Sequence, residues 1–419
     1  MIDIQLLRDN PELVARKAKE KKVEVDIAAA LQADKSYVGL LQEAESLRQK
    51  RNEISAQMKS SAAQGKPDQD LIDQGKQIKV ELADREDLMQ KAKAELDSYL
   101  HRIPNLHFDD VPVGDEEDST EVSRYGDCES TGAVDHQDFA TKRGWLDFER
   151  GAKVAGAKFY FLKGDLALLE NAIVQYALDL ITEEGFEYIT VPHMVNSRTA
   201  MGAGFAPRSD DQSDEYFIEG EDLTMIGTSE APLTGYHADE IISEDHFPRL
   251  YAGYSPCYRK EAGTYGKHAR GLFRVHQFNK LEMYAFTLPE NSAQMHERIR
   301  SIEERVWQEI GIPYRVINIA SGDLGAPAAK KYDIEYWSKV DGNFRELTSC
   351  SNCTDFQTRN VNVRVRRADG TIELAHSLNG TVVSMARTLV AVIEHYQNGD
   401  GSLRIPDVIQ KYMKGKQVL

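Results

Sequence analysis

Charged and aromatic side chains alternate along two segments that flank a glycine-containing loop. The first segment ends in Arg259-Lys260-Glu261, and the second carries His276, Phe278, Lys280 and Glu282. Strand alternation predicts that Arg259 and Glu261 share one face and that the four later residues share one face of the returning strand. Burying such a face without a ligand would leave charges that nothing solvates, so the pattern favours a binding site. Taken alone, an exposed hairpin with salt bridges is the alternative.

The second half of the chain must supply the elements that position these residues. Helix candidates and strand candidates alternate there: helices at 164–184, 289–310 and 382–398, and strands at 249–261, 272–286, 313–319, 343–349 and 359–367. Several strands follow one another without a helix between them, which favours an α+β fold with a largely antiparallel sheet flanked by helices. No phosphate loop of the Walker or Rossmann type occurs, so nucleotide phosphates would need another anchor.

Two heptad patterns occupy most of the first hundred residues. Mostly apolar positions recur three and four residues apart along two segments: Tyr37, Leu40, Ala44, Leu47, Arg51, Ile54, Met58 and Ser61, then Leu71, Gly75, Ile78, Leu82, Arg85, Met89, Ala92, Leu96 and Tyr99. Gly65 and Pro67 interrupt them, which predicts two long helices that fold back on each other. At 1.5 Å per residue each helix would extend about 40 Å and project from a small domain.

Charge does not decide what this hairpin does. Residues 27–100 contain 11 Lys and Arg against 13 Asp and Glu, which is typical of a solvated, salt-bridged surface. A helical bundle, a dimerisation coil and an RNA-binding arm all fit the pattern. After Ile103-Pro104-Asn105 the chain becomes rich in Pro, Gly and acids to about Glu121, so we predict an N-terminal domain at 1–105 and a second domain at 106–419.

Composition limits the setting in which the protein works. The formal net charge of −17, from 68 acidic and 51 basic residues, gives no general attraction to a polyanion, so any RNA binding must be local. Four cysteines are too few for a disulfide framework in a chain of this size. Cys350 and Cys353 form a single Cys-x-x-Cys motif, which supplies only two of the four ligands of a structural zinc site. No segment approaches the roughly 20 apolar residues of a membrane span. A cytoplasmic location is expected.

Four segments resemble signature motifs of class II aminoacyl-tRNA synthetases. Arg259-Lys260-Glu261, with its loop and return strand, resembles motif 2, and Gly185 to Pro192 resembles motif 1. Leu378-Asn379-Gly380-Thr381 through Leu389 is similar to motif 3, and Thr228-Ser229-Glu230 resembles the serine-binding signature of the seryl-tRNA synthetases. Together with the N-terminal two-helix arm, this order resembles the bacterial-type seryl-tRNA synthetase family over essentially the whole chain.

The resemblance implies an ATP site and catalytic residues. Arg259 would hold the α-phosphate and the serine carboxylate, Arg387 the γ-phosphate, and Phe278 the adenine ring, with Glu346 and Ser349 binding Mg²⁺. The catalytic residues would be Arg259, Glu346 and Arg387. The implied ATP-binding set is Arg259, Lys260, Glu261, Val275, Phe278, Glu346, Leu347, Thr348, Ser349 and Arg387.

The same resemblance assigns the amino acid site and the reaction. Serine would be bound by Thr228, Ser229, Glu230, Glu282 and Thr381. A pocket that hydrogen-bonds the serine hydroxyl should reject alanine more sharply than a size filter. The implied enzyme is a homodimeric serine–tRNA ligase that forms seryl-adenylate and pyrophosphate from serine and ATP, then charges tRNA(Ser), with tRNA(Sec) left open.

Two other functions compete with this one. A synthetase-like ligase would charge a carrier protein instead of tRNA, and a non-catalytic coiled-coil binding protein would retain only the core. The N-terminal arm argues against the first. The presence of Arg259, Glu346 and Arg387 argues against the second.

Overall fold

A computed structural model describes residues 1–63, 68–205, 214–261 and 270–419. The chain divides into two compact units, Met1–Pro104 and Asn105–Leu419. Across the described residues, no helix is both long and apolar enough to cross a membrane.

The first unit is helical and contains the predicted hairpin. Its helices are α1 (Ile4–Asp9), α2 (Pro11–Glu20), α3 (Ile27–Ala63) and α4 (Gln69–Leu100). Helices α3 and α4 pack antiparallel: Arg85 pairs with Glu43 at 3.1 Å, whereas Gly75 lies against Ile54, farther along α3. Most heptad positions are buried or half-buried, and Ala44 and Leu82 are fully buried. The interruption predicted at Gly65 and Pro67 lies outside the described residues.

In its described residues, the second unit is a mixed α/β structure that contains one large sheet, three smaller sheets and helices of 4 to 20 residues. Its helices are α5 (His136–Lys142), α6 (Phe148–Ala155), α7 (Gly164–Glu183), α8 (Ser197–Ala203), α9 (Glu230–Gly235), α10 (Ser292–Ile310), α11 (Phe356–Val361), α12 (Met385–Tyr396) and α13 (Asp407–Gln410). Its strands are β1 (Thr120–Tyr125), β2 (Leu146–Asp147), β3 (Phe161–Leu162), β4 (Glu187–Thr190), β5 (Met194–Val195), β6 (Thr224–Met225), β7 (Ile241–Ser243), β8 (Arg249–Tyr258), β9 (Gln277–Thr287), β10 (Tyr314–Asn318), β11 (Lys330–Ser338), β12 (Asn343–Thr354), β13 (Arg364–Arg366), β14 (Ile372–Leu374) and β15 (His376–Ser384).

An eight-stranded sheet forms the frame of this unit. Its order is β1-β10-β11-β12-β15-β9-β8-β4, and every pair is antiparallel except β4 with β8. Apolar residues of α7, α10 and α12 form one large core with the sheet, and Trp307 is fully buried in it. Helices α8, α9 and α11 pack against Tyr251, Tyr284 and Phe286 in a second core, on the face of β9 that also carries Lys280 and Glu282. The polar positions of this face lie next to that core. The predicted α+β fold, with a largely antiparallel sheet flanked by helices, is therefore confirmed.

Several predicted element boundaries were wrong. The strand predicted at 359–367 begins in a helix, because Phe356–Val361 is α11 and only Arg364–Arg366 is a strand. Val361, which lies within the predicted strand, is instead buried as the last residue of the helix. The helix predicted from 382 begins at Met385, since residues up to Ser384 continue β15. Tertiary packing overrides local propensity at such short apolar segments.

Candidate active site

One cleft on the sheet brings together the three residues predicted to be catalytic. It is lined by Arg259, Glu261, Phe273, Val275, Phe278, Lys280, Glu346, Leu347, Thr348, Ser349, Thr381, Ser384, Ala386 and Arg387. These residues come from β9, β12, β15, the beginning of α12 and the segments beside β8 and β9. Residues distant in sequence become neighbours here because their strands are adjacent in the sheet.

Arg387 and Glu346 form an ion pair within this cleft. Arg387 Nη1 lies 2.6 Å from Glu346 Oε1. Burial acts to raise the pKa of Glu346, but the positive charges of Arg387, Lys331 and Arg259 outweigh it and lower that pKa to about 2. Glu346 is therefore an ionised carboxylate at neutral pH, surrounded by cations.

A β-bulge places Glu346 and Ser349 on the same face of β12. In a regular strand, residues three apart point to opposite faces. Glu346 pairs with Glu335 and Ser349 pairs with Asp333, and the register shift between these pairs makes Leu347 an extra residue. Because Asp333 and Glu335 are two apart and share a face, their partners Glu346 and Ser349 share it as well.

Arg259 is held from two directions. Its Nε donates to Gly227 O at 3.2 Å, and its guanidinium carbon lies 5.3 Å from the centre of the Phe278 ring. The backbone carbonyl oxygen of Arg259 is 3.0 Å from Nδ1 of His276, the residue just before β9. His276 thus supports the backbone and is absent from the cleft lining, although alternation predicted it on the site face. The planar fork of Arg259 is suited to bidentate binding of phosphate or carboxylate.

A buried charge pair lies beside the cleft. Lys280 Nζ is 2.5 Å from Glu282 Oε2, and their side chains are only 9% and 2% exposed. Thr381 Oγ1 donates to the same Glu282 oxygen at 3.4 Å, across the β15–β9 pair. The Lys280 ammonium balances the charge of the Glu282 carboxylate, and the Thr381 hydroxyl adds a hydrogen bond to it. A buried ion pair needs such partners because neither charge is solvated by water.

The Thr228-Ser229-Glu230 segment begins α9 and is almost fully buried. Thr228 Oγ1 accepts a hydrogen bond from Glu230 N at 3.2 Å, so the segment also acts as a helix start. Ser229 Oγ shares a 2.7 Å hydrogen bond with Ser255 Oγ, which occupies that hydroxyl within the protein. Burial and the nearby Glu282 carboxylate raise the pKa of Glu230 to about 7.

Lys260 and Glu261 diverge at the end of the first motif 2 segment. The Lys260 ammonium lies 5.3 Å from the Phe217 ring and is not part of the cleft lining, unlike the other predicted ATP-binding residues. Glu261 has φ of +51° and accepts from Arg274 Nε at 2.5 Å. The predicted alternation of Arg259 and Glu261 along a strand is wrong, because β8 ends at Tyr258. A loop was predicted at 262–271, and residues 262–269 of it lie outside the described residues.

Three cleft residues were not assigned from the sequence. Phe273 lies against two guanidinium groups, those of Arg345 and Arg387, at 5.2 Å each. Ser384 and Ala386 complete the wall next to Arg387. An aromatic residue beside the arginine-rich return segment was the only sequence signal for Phe273.

The site offers oxygen donors suited to a hard cation. Glu346 is ionised and shares a strand face with the Ser349 hydroxyl. No group of three or more His, Cys, Asp or Glu residues with metal-binding geometry occurs in the part of the chain that the structure describes. Proteins usually bind Mg²⁺ through one or two side-chain oxygens, while water and phosphate oxygens fill the other coordination positions. Glu346 and Ser349 therefore fit that ion.

Comparisons with known proteins agree with this arrangement. Residues 1–107 match the family model of the seryl-tRNA synthetase N-terminal domain, and residues 215–396 match that of the tRNA synthetase class II core domain for G, H, P, S and T. A serine–tRNA ligase from Dictyoglomus thermophilum is 42% identical over 99% of this chain and 98% of its own length. The chain belongs to the seryl-tRNA synthetase family.

Solved structures of the family extend this likeness to the whole fold. The seryl-tRNA synthetase of Pyrococcus horikoshii, complexed with ATP, has a TM-score of 0.88 at 38% identity and covers 100% of this chain and 99% of its own. The cytoplasmic serine–tRNA ligase of Naegleria fowleri, in complex with AMP, has a TM-score of 0.83 at 32% identity, with coverage of 100% and 98%. Both family members are adenine nucleotide complexes.

Proposed function

We propose that this protein is a serine–tRNA ligase that activates L-serine with ATP and transfers it to tRNA(Ser). The observation that carries the proposal is the convergence of Arg259, Glu346 and Arg387 in one cleft. Relatives named serine–tRNA ligase and family members complexed with ATP and AMP support the same chemistry.

The proposed first step joins serine to the α-phosphate of ATP. A serine carboxylate oxygen attacks the α-phosphorus, and the bond to the pyrophosphate oxygen breaks. Arg259 would hold the two anionic reactants together, and Arg387 would bind the γ-phosphate, so catalysis comes from positioning and charge. Mg²⁺, held by Glu346 and Ser349, would neutralise phosphate charge when bound. Phe278 would stack on adenine, with Glu261, Val275, Leu347 and Thr348 around the nucleotide.

The amino acid would bind among the buried polar residues next to that nucleotide. We assign the serine ammonium and hydroxyl to Glu230, Glu282 and Thr381, with Thr228 and Ser229 shaping the wall. All five residues are at most 8% exposed, so an unsatisfied polar group left by alanine would be costly. Lys260 lies outside the cleft wall, so its predicted ATP contact would require a ligand that extends toward Phe217.

The N-terminal hairpin α3–α4 is proposed to bind tRNA. Its match to the seryl-tRNA synthetase N-terminal domain supports this role over a simple dimerisation coil. With a nearly balanced charge, it would recognise RNA shape and backbone rather than act as a basic surface. The second step would transfer the seryl group to the terminal ribose of the tRNA.

A homodimer in the cytoplasm completes the proposal. The motif 1 segment includes β4, an edge strand of the main sheet, whose Tyr188 is 42% exposed. An edge strand presents unpaired backbone groups that a second chain can cover, so this edge is the proposed interface. All four cysteines are buried and free, which fits a reducing compartment. Light scattering should give twice the chain mass; a monomer would refute the dimer.

Serine-stimulated ATP–pyrophosphate exchange, followed by charging of total tRNA, tests the function. We expect both activities, with alanine and threonine inactive in exchange. No serine-dependent exchange would leave only a binding protein, and exchange without tRNA charging would favour a carrier-protein ligase. Separate transcripts of tRNA(Ser) and tRNA(Sec) show whether both are substrates.

A further inference from the structure

Gln357, near the start of α11, is fully buried and uses its complete hydrogen-bonding capacity. Its Nε2 donates to Ala203 O at 2.9 Å and to Glu230 Oε1 at 2.7 Å. Its Oε1 accepts from Tyr284 OH at 2.9 Å and from Ser377 Oγ at 2.7 Å. An amide has two donors and two principal acceptor sites, so this side chain has one defined orientation.

Two amides converge on a single oxygen of Glu230. Besides Gln357, Asn379 Nδ2 donates to Glu230 Oε1 at 2.9 Å. Within residues 1–63, 68–205, 214–261 and 270–419, no donor of the protein contacts Glu230 Oε2. In this carboxyl group Oε1 accepts two hydrogen bonds from the protein, whereas Oε2 can accept a bond from a cationic group of a ligand.

We propose that Gln357 is a positioning residue of the amino acid site, which fixes Glu230 Oε1 and so directs Oε2 to the substrate ammonium. The inference rests on the proposed function and extends it to a residue that contacts only protein. The network connects Gln357 to four other elements: β9 through Tyr284, β15 through Ser377, the end of α8 through Ala203, and α9 through Glu230. Such a fully satisfied network rigidifies a site.

The amide also helps to keep Glu230 ionised. Burial and Glu282 raise the pKa of Glu230, whereas the Gln357 amide, Lys280 and Arg259 act to lower it. Tyr284 also faces this carboxyl and is neutral, because burial raises its pKa far above the ordinary value. Removing the amide donor should therefore move the ionisation of Glu230 to higher pH and weaken ammonium binding at neutral pH.

Two substitutions and one control test this role in the full-length protein. Gln357→Met keeps the size and removes all four hydrogen bonds, and Gln357→Glu keeps the acceptor oxygen but replaces the donor that faces Glu230. Gln410→Met is the matched control, because it makes the same side-chain change and removes amide hydrogen bonds to Ile405 O and Asp407 Oδ1, which belong neither to this network nor to the cleft lining. The KM for serine and for ATP is measured by pyrophosphate exchange between pH 6 and 9, with a thermal melt of each variant.

We expect both Gln357 variants to raise the KM for serine about tenfold or more, as loss of a hydrogen bond to a charged group predicts, with the KM for ATP changed less than about twofold. The rising limb of kcat/KM for serine against pH should move to higher pH, and Gln410→Met should change neither the KM values nor this limb. If Gln357→Met does not fold, Gln357→Glu decides. Equal increases in both KM values, or an unmoved pH limb, would overturn the positioning role. Wild-type protein without serine-dependent exchange would instead overturn the proposed function, and this inference with it.

Discussion

Arg387 Nη1 and Glu346 Oε1 lie 2.6 Å apart, so the cation and the carboxylate compensate each other's charge within the cleft. In the proposed function both groups also contact the nucleotide complex, because Arg387 would bind the γ-phosphate and Glu346 would bind Mg²⁺. Removing either partner would leave the charge of the other without its compensating neighbour.

The first prediction concerns this pair. Arg387→Ala should lower kcat/KM for ATP by about a hundredfold or more, since it removes a charged contact to phosphate and leaves Glu346 without its partner. Pyrophosphate exchange at varied ATP measures the effect. Arg404→Ala is the matched control, because Arg404 forms an exposed ion pair with Asp407 outside the cleft and should leave exchange unchanged. Equal losses in the two variants would contradict the assignment.

The second prediction concerns the buried pair of Lys280 and Glu282. Glu282→Gln should destabilise the fold by about 3 kcal/mol, because it leaves a buried ammonium without its counter-charge. The double variant Glu282→Gln/Lys280→Met should regain most of that stability, because the unpaired ammonium is gone. Neither variant should catalyse pyrophosphate exchange, because both lack the Glu282 carboxylate that is proposed to bind serine. Urea denaturation of the two single variants and the double variant measures this coupling. Additive destabilisation would show that the 2.5 Å contact contributes no coupling energy.

The third prediction is a pH dependence of stability. The pKa of Glu230 is about 7 in the fold, above the ordinary value for Glu, so between those two values the folded state binds more protons than the unfolded state. Stability from this group is therefore present at low pH and is lost as the pH rises through about 7. Glu230→Gln should remove this loss, and its stability relative to wild type should increase by about 1–3 kcal/mol from pH 5 to pH 8.5. Denaturant titrations at several pH values check it; a constant difference would refute the raised pKa.

The fourth prediction separates the hairpin from the catalytic core. Deleting residues 37–100, with a short flexible connection, should leave pyrophosphate exchange within about threefold of wild type and reduce tRNA charging by about a hundredfold, since phosphate and backbone contacts dominate RNA affinity. The cleft residues all lie in the unit Asn105–Leu419, which supports independent activation. Matched loss of exchange and charging would show that the hairpin is required for activation as well.

The sequence by itself determined the hairpin, the antiparallel sheet and the residue types of the site. The heptads of α3 and α4 are a local periodicity, and Arg259, Glu346 and Arg387 stand in motifs whose order can be read along the chain. Local patterns of this kind are visible without neighbours because side-chain direction follows from helix and strand geometry.

Only the tertiary structure decided which of these residues share a surface. Glu346 and Ser349 are three apart and would point to opposite faces of a regular strand, but the bulge at Leu347, visible only through the pairing of β12 with β11, brings them together. Gln357 likewise carried no sequence signal, since its role depends on partners contributed by β9, β15 and α9. Strand register and hydrogen-bond partners depend on how distant segments pair in the fold, so they cannot be derived from local sequence patterns.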